Sequence, residues 1–182
     1  MHSLQDLPGR NQQVYFPPYK TFYINQKVNC HSENVIYLIN IKKCKLSYIG
    51  YTTTAMKSRW STTKSHIRKG VENCEICTHI INCKAHDNII RYPSIKTYDE
   101  TLKNEIELII IEQVRVPPGS STEVKEKLCQ VREGYWQTRL RTMTRYGGLN
   151  VLDDRVRAQK KLYNPKNKYK NREKNGEQQS GP

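Results

Sequence analysis

Phenylalanine and long hydrophobic runs are scarce in this 182-residue sequence, and each scarcity excludes a class of protein. Only two residues are phenylalanine and 36% are hydrophobic, so any core is small and relies on Ile, Val, Leu and the 12 tyrosines. No run of 18 apolar residues occurs, which argues against a transmembrane helix. The N-terminus lacks the charged-then-apolar pattern of a signal peptide. We therefore expect an intracellular protein, nuclear if the host is eukaryotic, with no membrane partner.

Acidic residues are also few relative to basic ones. Lys and Arg number 31 against 17 Asp and Glu, which gives a net charge of +14. A field of this sign concentrates polyanions near the surface, so nucleic acid is the leading partner class. Residues 155–182 hold nine Lys or Arg and two Glu. This composition predicts a disordered tail over 153–182 that either contacts phosphates or serves as a solubilising terminus.

The rest of the chain predicts an irregular arm over 1–30 and a mixed α/β (α+β) domain over 31–152. Two β-branched and aromatic runs, 34–40 and from Lys45, flank a lysine-rich turn and predict an antiparallel hairpin. The apolar run over 104–114 predicts a third strand at the centre of a small antiparallel sheet, flanked by helices.

Two flanking helices are predicted. The first covers 55–69, with caps at Thr52 to Thr54 and a stop at Gly70. The second begins at Ser121 or Thr122. Its apolar face is predicted to comprise Val124, Leu128, Val131, Tyr135 and Leu140.

Two tripeptides in the predicted hairpin carry a resemblance to a known family. "VIY" at 35–37 is followed by ten residues and then by "YIG" at 48–50. This arrangement resembles the signature of the GIY-YIG nucleases, with Val35 at the position of the first glycine. The sequence also has later residues in the family's order: Arg59 on the first helix, Glu133 in "REGYW" and Asn150 in "GGLN".

The resemblance covers about residues 34–151 and is closest to the endonuclease domain of Penelope-like retroelements and related stand-alone proteins. It implies a metal-dependent DNA endonuclease that uses Mg²⁺ or Mn²⁺. A retroelement endonuclease works beside a reverse transcriptase, so that enzyme or another mobile-element protein is an expected partner. Because 182 residues cannot hold such a polymerase, the chain is expected to be a fragment or a stand-alone relative.

The resemblance also implies roles for individual residues. Tyr37 would be the general base, and Tyr48 would position the phosphate or the attacking water. Arg59 would clamp the phosphate, and Glu133 would bind the divalent ion. Asn150 would orient the loop backbone or contact phosphate.

Structural alternatives remain for these residues. Glu133 also suits a surface carboxylate paired with a neighbouring arginine, and Asn150 also suits a turn. The family commonly has a histidine or tyrosine four residues after the arginine, where this chain has Thr63. His66 is the candidate substitute, or else a DNA contact. The alternative function is a nucleic-acid-binding protein that keeps the fold without cleaving.

A Cys/His-rich insertion over 71–92 predicts either free thiols or a structural zinc site. A local ligand set would draw only on residues 74–86. A distributed set, implied by the Penelope-like branch, would join Cys44 to two histidines, with a further cysteine in place of a missing one. The candidate ligands are Cys44, Cys74, Cys77, His79, Cys83 and His86. Cys129 is predicted to lie in the core.

Basic residues on the two predicted helices are candidates for binding phosphates. Such contacts position a duplex without reading its sequence. The candidates are Lys64, Arg68, Lys69, Arg139, Arg141 and Arg145.

Overall fold

The computed structural model describes residues 12–16, 20–24, 26–86 and 95–151. The elements in chain order are β1 (Gln12–Phe16), β2 (Lys20–Ile24), β3 (Val35–Ile41), β4 (Leu46–Thr52), α1 (Met56–Lys69), α2 (Glu75–Asn82), a 3₁₀ turn (Lys84–His86), α3 (Ile95–Glu105), β5 (Ile106–Gln113), α4 (Thr122–Arg139) and a second 3₁₀ turn (Thr144–Tyr146). All belong to Met1–Asn150, the first of two units into which the chain divides. The predicted tail over 153–182 lies outside the described residues.

The main sheet has three antiparallel strands in the order β4-β3-β5. Helices flank this sheet, so the predicted α+β class is confirmed. The prediction that the 104–114 run forms the central strand was wrong, because β3 lies between the other two strands. β5 is an edge strand with an exposed Glu107, and its apolar run is buried without a second strand neighbour. It begins only at Ile106 because α3, which the sequence patterns missed, leads directly into it.

Both faces of β3 are covered. Six of its seven residues are buried and only Asn40 is partly exposed. Because successive strand residues point to opposite faces, this pattern requires packing on both sides of the sheet. The fully buried helical side chains include Met56 and Ile67 of α1 and Ile76 and Ile80 of α2. None of the described helices has the length and apolar character needed to cross a membrane.

The N-terminal arm, expected to be irregular, contains regular structure. β1 and β2 pair antiparallel as a separate two-stranded sheet, with Gln12 opposite Ile24. Pro17 and Pro18 fall between the two strands and outside the described residues.

The ends of α1 match the prediction only in part. Ala55 is the N-cap residue and makes no side-chain cap bond, so the predicted threonine caps were wrong. Thr52 Oγ1 instead accepts the N–H of Thr54 at 3.2 Å, a local turn that precedes the helix. Gly70 ends α1 as predicted, in the left-handed conformation with φ of 67°.

α4 begins as predicted, but its buried face differs. Ser121 caps it by accepting the N–H of Val124 at 3.4 Å. Three members of the predicted apolar face are exposed: Val124 at 44%, Val131 at 58% and Tyr135 at 42%. The buried residues of the helix are Cys129, as predicted, and Gln137. α4 therefore places only a narrow strip of its surface in the core.

Candidate active site and metal centre

Tyr37 and Tyr48 lie on the same face of the β3–β4 hairpin. The register places Tyr37 opposite Gly50 and Tyr48 opposite Ile39, and directly opposed residues share a face. The two tyrosines therefore form a diagonal pair. Their ring centroids are 6.5 Å apart, and both rings are buried, with Tyr37 2% and Tyr48 6% exposed. We call them the phenol pair.

Gly50 makes room for the phenol pair. An added Cβ would lie 2.6 Å from the Tyr37 hydroxyl and 2.8 Å from Tyr48 Cε1. We expect Gly50→Ala to lower the free energy of unfolding by about 1–3 kcal/mol, because the rings must shift. Gly134→Ala is the matched control: its Cβ meets no atom within 4 Å, so we expect a gain of about 0.5–1 kcal/mol within α4. Urea unfolding measures both, and equal free energies for the two variants would contradict this description.

Arg59 reaches the phenol pair from near the start of α1. Its Nε donates a hydrogen bond to the Tyr37 hydroxyl oxygen at 3.2 Å. Burial by itself lowers the pKa of Arg59, but Tyr37, Tyr48 and Cys74 together more than offset this effect, so the pKa is raised. Arg59 is thus a half-buried cation anchored through one nitrogen of its guanidinium group.

The phenol pair is held in its neutral form. Burial raises the pKa of Tyr37, and Arg59 opposes this only in part. Burial raises the pKa of Tyr48 well above its usual value, and both Tyr37 and Glu133 raise it further. Each hydroxyl can therefore donate and accept hydrogen bonds at neutral pH.

These raised pKa values predict a loss of stability in alkali. The unfolded chain releases its phenol protons near pH 10.0, below the pH at which the folded chain does so. The stabilisation is therefore complete below about pH 10 and is lost as pH rises above it. We expect the free energy of unfolding to decline less steeply with pH in Tyr48→Phe than in the wild type. Tyr146→Phe, at a 48% exposed position, is the control and should retain the wild-type slope. Equal slopes for all three proteins in urea unfolding would contradict the prediction.

Glu133 adds negative charge to this site from α4. Its carboxylate raises the pKa of Tyr37, of Tyr48 and of the neighbouring Tyr51. The side chain is half-buried. The neighbouring Arg132 donates bidentate hydrogen bonds to the Glu112 carboxylate of β5, at 2.8 to 3.0 Å. Two helices and one hairpin thus supply the four residues on which the predicted active site depends.

Asn150 is a positioning residue beside the phenol pair. Its Oδ1 accepts the N–H of Ile49 at 2.8 Å, and its Nδ2 donates to the Ile49 carbonyl at 2.7 Å. The side chain is 2% exposed. Asn150 therefore pairs with the edge of β4 as another strand would, next to Tyr48. Of the two roles inferred from the sequence, this geometry matches the orientation of backbone.

The predicted second base is separate from the phenol pair. Thr63 is buried and donates its hydroxyl to the Arg59 carbonyl at 3.1 Å, so it has a structural role in α1. His66 lies seven residues after Arg59, about 10 Å along the helix axis. Within the described chain, its side chain makes no hydrogen bond or ion pair with Arg59 or the phenol pair.

Four of the candidate zinc ligands form one group, the Cys₂His₂ cluster: Cys44, His79, Cys83 and His86. One ligand atom from each residue lies within 4.8 Å of all the others. Cys44 comes from the β3–β4 turn, His79 from α2, Cys83 from the end of α2 and His86 from the 3₁₀ turn. This set could hold a metal ion. It combines the distributed and local alternatives, with Cys83 as the further cysteine that the distributed set required.

Buried polar atoms of the cluster support a metal. His79 Nε2 is buried without a hydrogen-bond partner in the described structure, and such an atom is costly unless it binds something. Burial lowers the pKa of His79 and of His86, which favours the neutral imidazole that metals require. His86 Nδ1 and a Glu105 carboxylate oxygen lie 3.8 Å apart, too far for a hydrogen bond, and both atoms are buried without a hydrogen-bond partner in the described structure. Glu105 is therefore the nearest carboxylate that could orient His86 if the imidazole bound a metal. Sequence reasoning missed Glu105 because it missed α3, which Glu105 ends.

Cys74 and Cys77 are not members of the cluster. Their sulfur atoms lie 2.9 Å from each other, at the start of α2. The prediction that they are zinc ligands, as part of a local set, does not match this grouping. The hydrogen bond with Cys77 lowers the pKa of Cys74 to about 7, and Arg59 lowers it further. The same pairing and burial raise the pKa of Cys77 well above its usual value, which Arg59 opposes only in part.

The predicted phosphate-binding residues of α1 differ in their surroundings. Lys64 forms a 2.8 Å ion pair with Asp99 of α3, which partly neutralises it. Arg68 and Lys69 are exposed at the end of α1. Arg68 and Lys69 are therefore more accessible to phosphate than Lys64 is.

The three later arginines are exposed and surround two tyrosines. Arg139 lies over the ring of Tyr135 and donates to its hydroxyl at 2.7 Å. Arg141 and Arg145 lie over the ring of Tyr146, at 5.8 and 4.8 Å from its centroid. The cation–π contact of Arg145 leaves the edge of its guanidinium group available to phosphate.

No protein-family model, curated protein or solved structure matches this chain. The resemblance to a nuclease family therefore rests on the residues quoted from the sequence. The structure itself defines an α+β protein with a buried phenol pair, a cation beside it, and a Cys₂His₂ cluster able to bind a metal such as zinc.

Proposed function

We propose that this protein is a metal-dependent DNA endonuclease that hydrolyses phosphodiester bonds by a GIY-YIG-type mechanism. The main support is the meeting of Tyr37, Tyr48 and Arg59 at one place within the field of Glu133. Phosphodiester hydrolysis needs positive charge at the phosphate, an activated water and help for the leaving oxygen. Two buried phenols beside a half-buried guanidinium group are costly for folding, and a binding site for phosphate gives that arrangement a use.

Arg59 would bind the scissile phosphate. Arg59 Nε donates its hydrogen bond to Tyr37, so the two terminal nitrogens of the guanidinium group would form the bidentate hydrogen bonds to phosphate oxygens. Burial around the guanidinium strengthens such a contact relative to one in open water. Tyr37 would thus set the direction in which Arg59 points.

The phenol pair would act on the attacking water and the phosphate. Burial raises the pKa of Tyr37, so at neutral pH its hydroxyl is protonated and can orient a water molecule but is a weak base. Loss of its proton would be favoured by positive charge near the site, to which Arg59 already contributes. Tyr48 would donate a hydrogen bond to a phosphate oxygen, because its pKa is raised more strongly. Asn150 would hold the strand that carries Tyr48.

Glu133 would hold the divalent ion, Mg²⁺ or Mn²⁺. It is a half-buried carboxylate whose charge acts on both phenols. Mg²⁺ accepts a single carboxylate together with water and phosphate oxygens, so one residue is a sufficient protein ligand. When bound, the ion would neutralise the phosphate and stabilise the leaving oxygen.

The Cys₂His₂ cluster would bind Zn²⁺ as a structural site. Zinc prefers sulfur and imidazole nitrogen in a tetrahedron, and a Zn–S length of about 2.3 Å implies an S–S separation of about 3.8 Å. The sulfur atoms of Cys44 and Cys83 are 3.7 Å apart. Four protein ligands leave no position for water, as is typical of structural zinc. The ion would join α2 to the turn of the hairpin that carries the phenol pair.

DNA would be held mainly through phosphate contacts. The net charge of +14 supports this, and exposed cations such as Arg68, Lys69 and Arg145 lie on the described surface. A mobile-element origin would make a reverse transcriptase or another element-encoded protein the natural partner. That part of the proposal depends on the sequence resemblance alone.

A second candidate is a nucleic-acid-binding protein that keeps the fold without cleaving. The burial of both phenols and the occupation of the second-base position by Thr63 favour it. It predicts salt-sensitive DNA binding with no cleavage in any metal.

The experiment that separates the two candidates uses supercoiled plasmid. The zinc-loaded full chain is incubated with plasmid and Mg²⁺ or Mn²⁺, and nicked circles are measured on a gel. The endonuclease proposal expects nicking that excess EDTA abolishes, in parallel with binding that weakens as salt rises. Binding without nicking in either metal would favour the second candidate.

A further inference from the structure

A pair of thiols outside the Cys₂His₂ cluster has a geometry of its own. Cys74 precedes α2 as its N-cap residue, and Cys77 is the third residue of that helix. Their sulfur atoms are 2.9 Å apart, whereas a disulfide bond is about 2.0 Å long. The first turn of α2 thus holds both sulfurs within about 1 Å of bonding distance.

The two thiols differ in access and in ionisation. Cys74 is half-buried, whereas Cys77 is fully buried. The Cys77 thiol is the main cause that lowers the pKa of Cys74 to about 7, and Arg59 lowers it further. Burial raises the pKa of Cys129, the matched core cysteine, to about 11. Cys74 is therefore the most reactive nucleophile of these three thiols. The buried Cys77 lies next to it and can act as the resolving thiol.

A metal ion is a poor occupant for this pair. Among the described residues, the one group of three or more metal-ligating side chains is the Cys₂His₂ cluster, which excludes Cys74 and Cys77. The nearby Arg59 cation would also repel a metal cation. The same cation stabilises a thiolate, so the surroundings favour thiol chemistry.

We propose that Cys74 and Cys77 form a redox-active dithiol that closes reversibly to a disulfide by exchange with low-molecular-weight disulfides such as oxidised glutathione. The Cys74 thiolate attacks one sulfur of the small disulfide, forms a mixed disulfide and releases one small thiol. Cys77 then loses its proton and attacks the Cys74 sulfur, which releases the second small thiol. The net reaction converts one dithiol and one small disulfide into one protein disulfide and two small thiols. This inference does not depend on nuclease activity.

The test is peptide mass spectrometry of the zinc-loaded full chain after equilibration in graded mixtures of reduced and oxidised glutathione. Free thiols are alkylated and the protein is digested with trypsin, which releases residues 70–84 as one peptide. We expect this peptide to lose two hydrogens at mild oxidation, with fragment ions that place the bond between Cys74 and Cys77. Cys83 in the same peptide should not take part in that bond. Under reducing conditions, Cys74 should be alkylated at least about 10-fold faster than Cys129.

Two variants separate the roles of the thiols. Cys77→Ser removes the resolving thiol, so we expect a stable glutathione adduct on Cys74. Cys74→Ser should show neither the adduct nor the disulfide. The proposal is overturned if both thiols remain free, and are therefore alkylated, at every ratio of reduced to oxidised glutathione. A second bound zinc per chain that Cys74→Ser removes would also overturn it, because the pair would then be a metal site.

Discussion

Glu133→Gln is expected to reduce plasmid nicking by about 100-fold or more, which is the size of effect seen when one preorganised electrostatic group is removed from an active site. The carboxylate charge acts on both phenols, and Gln preserves its size while removing the charge that would hold the divalent ion. Initial nicking rates at saturating Mg²⁺ measure the effect. DNA binding in EDTA should be unchanged or slightly stronger, because a negative charge is lost.

The matched control is Glu126→Gln, which removes an exposed carboxylate from the same helix. It should nick within about 2-fold of wild type, since surface substitutions away from a site have small effects. A Glu133→Gln protein that folds and nicks at the wild-type rate would contradict the assigned role.

Arg59→Lys tests the same site from the opposite side. Lysine keeps the positive charge but loses the Nε hydrogen bond to Tyr37. It also cannot form the bidentate hydrogen bonds that a guanidinium group would make with phosphate. We expect a fall of about 100-fold in nicking, with Arg68→Lys on the exposed part of α1 as the control. Similar rates for the two variants would show that Arg59 is one cation among many.

Removal of one ligand of the Cys₂His₂ cluster is expected to have the second-largest effect. It should release the bound zinc and lower the thermal stability of the protein. In Cys44→Ser we expect the bound zinc, about one per chain, to be lost on dialysis. At free zinc 100 times the dissociation constant, binding contributes about 2.7 kcal/mol. For a domain of this size, the melting temperature should therefore fall by about 5–10 °C. Metal analysis and thermal unfolding, with and without a chelator, measure both effects.

Cys30→Ser provides the control, because Cys30 is a half-buried thiol outside the cluster. It should keep its zinc, and a chelator should lower its melting temperature as much as that of the wild type. The chelator should have little effect on Cys44→Ser. Equal zinc contents in the two variants would contradict the ligand set.

The hairpin and its two tyrosines could be predicted from the sequence because the evidence for them is local. β-Branched runs of the right length flank a short polar turn, and alternation then places Tyr37 and Tyr48 on one face. The position of β5 could not be predicted this way. An unbroken apolar run is equally compatible with a central strand and with an edge strand covered by helices.

The metal ligands illustrate a different limit. Five Cys and His residues lie within 74–86, so their spacing alone fits several tetrahedral sets. The choice depends on where the β3–β4 turn brings Cys44, which is a tertiary contact. Asn150 is similar: the family resemblance singled it out, but its pairing with Ile49 spans 101 residues, so the sequence did not reveal which backbone it holds.

The central claim is that Glu133 holds a divalent ion beside the phenol pair, and paramagnetic line broadening by Mn²⁺ tests it most directly. In wild-type protein with labelled tyrosine rings, substoichiometric Mn²⁺ should broaden the resonances of Tyr37, Tyr48 and Tyr51, the rings on which the Glu133 charge acts. It should leave the exposed Tyr146 sharp. The same addition to Glu133→Gln should leave all of these resonances sharp. Identical broadening in both proteins, or broadening confined to exposed rings such as Tyr146, would contradict the proposed site.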